Sequence, residues 1–233
     1  LVTSLLSQRL GRKVEIITPK RGEKADLVEN AARNARESLA RKMSESATQN
    51  VLLQNLAEAF DLDGPPARIE VYDNSHISGT NAVGGMIVAG AEGFLKSQYR
   101  KFNIKSDAGA NSDDFGMMKE VLSRRFDRLL KEDPERKSDM WPDLLLIDGG
   151  VGQVSVAAQI MAEMGVDDIA MVGVAKGVDR NAGKEEFHRP GKPPMALRMN
   201  DPVLYFVQRL RDEAHRWAIG AHRAKRAKSV SST

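Results

Sequence analysis

Between Glu23 and Ala59 no proline or glycine interrupts the chain, and Leu27, Val28, Ala31, Ala35, Leu39 and Met43 recur at helical spacing. That pattern predicts one long helix. The segment DLDGPPAR ends it, because two prolines cannot continue a helix. Ahead of it, residues 1–22 read as a short helix, a strand around Val14, Ile16 and Ile17, and a turn. After Ala67 the period shortens to two. RIEVYD, AVGGMIVAG and FLKSQYRKFNI read as three strands joined by short turns, hence as an antiparallel meander.

SDDFGMMKEVLSRRFDRLLK follows as a helix, with Ser112 or Asp113 as its cap. DLLLID is a continuous apolar run, as expected of a strand buried on both faces. VSVAAQIMAEMG is a helix and IAMVGVA another buried strand. A loop rich in glycine and charge then carries a small hairpin around EEFHR and MALRM. Asn200 or Asp201 caps a last helix, with Pro202 in its first turn. The tail from residue 225 is basic and then Ser-rich, and reads as a linker. The order is three strands, helix, strand, helix, strand, helix. A meander feeding a βαβ pair predicts an α/β fold, a mixed five-stranded sheet with helices on both faces. The expected boundaries are an N-terminal extension at 1–66 with a bracing helix, the main domain at 67–224, and the linker at 225–233.

RIEVYDNSHISG raises the chemical question, because Asp73 sits at a strand position. Asp148 closes the fourth strand, at the carboxyl end where sheets of this kind present ligands. If the first and fourth strands are neighbours, the two carboxylates face each other. Like charges that close disfavour ionisation unless a cation intervenes. Mg²⁺ is the usual hard ion for one or two carboxylates, and Mn²⁺ tolerates an added imidazole better. The plainer reading has Asp148 capping its turn and Asp73 bonding its own loop. Asp113 and Asp114 open a helix, where capping explains Asp113 and leaves Asp114 open. His215 shares a helix face with Gln208, Arg211 and Asp212. His76, His188 and His222 read as structural or substrate-proximal.

With 233 residues, the chain can hold one large domain or a domain plus an appendage. The absence of cysteine excludes disulfides and thiolate metal sites. No apolar run reaches a membrane span, and no signal peptide is visible. The chain starts at Leu1 rather than Met, as a piece of a longer protein would. A net charge of +3 permits nucleic-acid binding without arguing for it. GGVGQ lacks the Lys-Ser/Thr of a phosphate loop, which weighs against a nucleotide-binding enzyme.

DNSHISG, SQYRKFNI, SDDFGMMKEVLSRRF, PDLLLIDGGVGQ, VGVAKG and VQRLRDEAHRWAI occur in this order, after LLSQRLGRKVEI and RGEKADLVENAARNA. Together they resemble the C-terminal half of the UvrC family, the incision subunits of bacterial nucleotide excision repair. The resemblance covers nearly the whole chain and implies an RNase H-like endonuclease domain. It implies Asp73, Asp148 and His215 as catalytic and metal-binding residues, and Asp114 as a further functional acid. Asn74 departs from the family, which usually has an apolar residue there. The implied activity is a metal-dependent 5′ incision near a lesion by phosphodiester hydrolysis, with Mg²⁺ or Mn²⁺. The implied partners are damaged double-stranded DNA and UvrB, and the implied place is the cytoplasm. Lys96, Arg100, Lys101, Lys176, Arg180 and Lys184 are candidates for a phosphate path, against a default of solvated surface. The alternative is a non-catalytic RNase H-like scaffold for DNA or UvrB, in which the three residues need not converge.

Overall fold

A computed structural model describes residues 2–75, 83–104, 114–176 and 185–230, with the backbone alone at 74, 75, 114 and 221–230. His76, Asp113, Arg180 and Lys184 lie outside the described residues. Contacts divide the chain into Leu1–Ala47 and Thr48–Thr233.

The first unit holds α1 (Val2–Leu10) and the opening turns of α2 (Glu23–Phe60). The strand expected around Val14 does not form. Its residues find no partner ladder, and Ile16 and Ile17 are exposed. The apolar positions expected to form a bracing face, Leu27, Val28, Leu39 and Met43, are exposed as well.

The second unit is built on an eight-stranded sheet among the described residues, ordered β3-β2-β1-β5-β6-β7-β8, with β4 also on β2. The strands are β1 (Arg68–Ser75), β2 (Val83–Gly90), β3 (Gly93–Phe94), β4 (Arg100–Asn103), β5 (Leu144–Asp148), β6 (Ala170–Lys176), β7 (Glu185–His188) and β8 (Met195–Ala196). The expected count of five was low for two reasons. The third strand is split by a turn of 3₁₀ helix at Lys96–Gln98, so both halves pair with β2. The small hairpin also joins the sheet, since β7 pairs with β6. The meander is antiparallel and β1, β5 and β6 are parallel, so the sheet is mixed as expected.

Each face buries its own core. Ile69, Val71, Leu144, Leu146, Val172 and Val174 pack under the last turns of α2 and under α5 (Pro202–Val230). Tyr72, Met86, Leu145 and Ile147 pack under α3 (Asp114–Glu132) and α4 (Val151–Glu163). The alternation of side chains along each strand sends successive residues to opposite layers. Two expected boundaries move. Residues 1–66 were read as outside the main domain, but α2 sinks Leu53, Leu56, Ala57 and Phe60 into its core. The segment from 225, read as a linker, continues α5 to Val230, because Ala and Lys there sustain a helix without a breaker. Asp201 is the α5 cap: its Oδ1 accepts the Val203 N–H at 2.8 Å.

Candidate active site

Tyr72 on β1 pairs with Ile147 on β5. The next residue on each strand is an acid, Asp73 and Asp148, and both fall on the face covered by α5. Their backbones are therefore neighbours across one strand spacing, about 4.8 Å. Asp73 is buried at 4 % exposure, while the Asp148 side chain is 27 % exposed. Burial pushes the Asp73 carboxyl above its ordinary value. The His215 hydrogen bond opposes that shift, and the charge of Asp148 adds to it.

The helix α5 supplies the partners. His215 Nδ1 lies 2.9 Å from Asp73 Oδ2, with more than half of its side chain exposed. Four residues earlier, Arg211 donates from Nε and Nη2 to Asp148 Oδ1 at 3.0 and 2.6 Å. A further turn back, Gln208 Nε2 donates to Glu185 Oε1 at 2.9 Å, and Arg211 Nη1 stands 3.9 Å from the same carboxylate. One helical stripe thus meets a line of acids on β1, β5 and β7. The stripe was visible in the sequence through its spacing. Asp212, expected on it, is exposed. Glu185 carried no signal in the sequence, since its burial follows only from β7 pairing with β6.

Asp73 and His215 therefore meet directly, and Asp148 stands beside them engaged with Arg211. Among the described residues, no three acids or histidines converge as a closed metal-ligand set. The donor chemistry still fits a hard divalent ion: two carboxylates sit side by side, and among the described residues their mutual repulsion is answered by Arg211 on Asp148 and by the His215 hydrogen bond on Asp73. Such an ion would be held by Asp73 and Asp148. Asp114 opens α3, with its side chain outside the description. Lys96, Arg100, Lys101 and Lys176 are all exposed. Arg100 spends its guanidinium on the Ser97 and Tyr99 carbonyls. His188 sits on β7 beside Glu186, at 3.6 Å.

The family description "UvrC RNAse H endonuclease domain" matches residues 57–219, and "UvrC Ribonuclease H-like domain" matches residues 1–42. UvrABC system protein C of Cereibacter sphaeroides is 79 % identical over the whole chain, which spans 37 % of that protein. The corresponding proteins of Ruegeria pomeroyi and Caulobacter vibrioides are 74 % and 63 % identical, over 100 % and 97 % of the chain and 37 % and 36 % of their own lengths. The chain thus spans just over a third of the curated relatives it matches. Among solved structures, Ciona intestinalis Endonuclease V (D234N) in complex with an inosine-containing DNA is 16 % identical at a TM-score of 0.35, covering 61 % of this chain and 58 % of that one. Human ENDOV gives 18 % and 0.35, covering 60 % of each chain. Those overlays are too loose to compare side chains.

Proposed function

The chain belongs to the UvrC family and carries its RNase H-like endonuclease domain; from that premise we propose that it makes the 5′ incision near a lesion in nucleotide excision repair, by metal-dependent phosphodiester hydrolysis. The observation that carries the reading is the Asp73–Asp148 pair at the carboxyl ends of adjacent parallel strands, with His215 bonded to Asp73. A divalent ion, Mg²⁺ or Mn²⁺, would supply charge stabilisation at the scissile phosphate. The protein's own groups do the rest.

Asp73 accepts at Nδ1 of His215, which fixes the ring and leaves Nε2 as its free nitrogen. Nε2 takes a proton from the attacking water as the new O–P bond forms; the P–O bond to the departing strand end breaks, and that oxygen leaves as a hydroxyl after taking a proton from solvent. Asp73 then steadies the imidazolium. Arg211 balances Asp148, so the site carries less negative charge than a set of three or four acids. A divalent ion held by these two carboxylates would draw further oxygen ligands from the substrate phosphate. Damaged double-stranded DNA is the proposed substrate, UvrB on DNA the proposed partner, and the cytoplasm the proposed place.

The Arg211–Asp148 ion pair favours a second reading, a retained RNase H-like scaffold that binds DNA or UvrB without cutting. A nicking assay on a 5′-labelled lesion duplex separates the two. The full-length protein with UvrB nicks the strand under the endonuclease reading and leaves it intact under the scaffold reading.

A further inference from the structure

We propose that Lys101, seated on the indole of Trp217, grips the phosphate backbone of the DNA strand beside the cut, so that the corner between β4 and α5 is the site's DNA-binding surface. The proposal rests on the endonuclease reading and adds where the strand runs.

Sheet register places the residue. Lys101 on β4 pairs with Gly85 on β2, and Gly85 pairs with Asp73 on β1. Paired residues project to the same face, so Lys101 and Asp73 share the side covered by α5. They stand two strand spacings apart, about 10 Å. That is about three axial rises of a DNA strand at ~3.4 Å each. A cation there reaches a phosphate a few nucleotides from the one being cut.

The position between them carries no side chain. A Cβ on Gly85 would stand 2.9 Å from the Ala218 Cβ, so the glycine lets α5 lie directly on β2. On either side of that close approach α5 presents His215 to Asp73 and Trp217 to Lys101.

Trp217 is fixed in turn. Its Nε1 donates to the Arg100 carbonyl at 3.0 Å, and Tyr99 packs edge-on with ring centroids 5.2 Å apart. Lys101 Nζ sits 4.0 Å from the indole centroid, a cation–π distance. Among the described residues Lys101 makes no ion pair with a carboxylate. Partial burial lowers its pKa, the mark of an ammonium already stripped of some water. The neighbouring Arg100 is committed to backbone carbonyls. Lys101 is therefore the oriented, uncommitted point charge of this edge, which suits a phosphate oxygen.

The test measures binding of the full-length protein to a fluorescein-adducted duplex in EDTA, where no cutting occurs, across a salt series. Lys101→Met should flatten the slope of log K against log salt by about 0.9, the loss of one duplex phosphate contact. Lys101→Arg should keep the slope. Lys131→Met, the same charge change at the end of α3, should leave it unaltered. Trp217→Leu should keep the slope and weaken binding at every salt concentration. A wild-type slope in Lys101→Met, an equal fall in Lys131→Met, or wild-type affinity in Trp217→Leu overturns the proposal. Cutting by Asp148→Asn, assayed separately with UvrB, reports on the endonuclease reading alone, so either idea can fail without the other.

Discussion

Arg211 places two guanidinium nitrogens on a single oxygen of Asp148, at 3.0 and 2.6 Å. The protein's own cation thus stands on the carboxylate that a divalent ion would use, with Glu185 3.9 Å away on its other side. Removing Arg211 leaves Asp148 unpaired beside Asp73. Arg211→Met should therefore cost about 1–3 kcal/mol of stability, below the loss from a fully buried pair because Asp148 is part-exposed. Added Mn²⁺ should recover more of that loss in the variant than it adds to the wild type. Chemical denaturation with and without the ion checks both statements.

Asp73 gives a pH signature. Burial raises its carboxyl above the ordinary 3.8, so ionisation opposes folding. The favourable contribution of the neutral form is complete below the unfolded value and is lost as pH rises through the folded value. Asp73→Asn holds the group neutral throughout. In EDTA it should melt above the wild type at pH 7, and the difference should close as pH falls toward the ordinary carboxylate value. A melting difference that stays constant from pH 7 down to the ordinary carboxylate value would show that desolvation is not what Asp73 feels.

The sequence made most of this site legible, and its silences have physical causes. RIEVYD and DLLLID exposed the two acids because each closes a strand pattern, and neighbouring strands then made them a pair. The stripe through Gln208, Arg211 and His215 follows from helical spacing alone. What spacing cannot reveal is which acid each residue meets. The β5 register is what sets Asp148 beneath Arg211. Glu70 is a further residue whose partners spacing does not reveal: helices cover this sheet on both sides, and Glu70 is fully buried among Arg68, Tyr72 and Arg125.

That buried cluster anchors β1 to α3. Glu70 accepts from Arg125 at 2.6 and 3.2 Å, from Arg68 Nε at 3.0 Å and from the Tyr72 hydroxyl at 2.6 Å. Glu70→Gln strands two buried guanidinium groups and should cost about 3–5 kcal/mol. Adding Arg125→Met should cost less than the sum of the single changes, because the two share one interaction. Urea unfolding of the four proteins completes the cycle.

The loop between α3 and β5 has its own acid-sensitive clasp. Asp133 accepts from the Lys137 and Ser138 N–H groups, the Ser138 hydroxyl and the Trp141 indole, at 3.0, 2.8, 2.7 and 3.0 Å. The Ser138 and Lys137 backbone donors lead in holding its pKa down to about 2. A lowered carboxyl stabilises above the unfolded value and loses that contribution as pH falls from about 4 through about 2. Asp133→Asn should lower the melting temperature at pH 7, and the gap to the wild type should narrow across that window.

The reading of Asp73 and Asp148 as one acidic pair that cuts DNA stands or falls on Asp148→Asn. The asparagine carbonyl can still accept from Arg211, so the fold should hold, with melting close to the wild type. With one carboxylate gone, nicking of a 5′-labelled lesion duplex by full-length protein and UvrB should fall by at least about 10²-fold, on the scale of a lost transition-state charge contact. Folded Asp148→Asn protein that nicks at the wild-type rate would contradict the account.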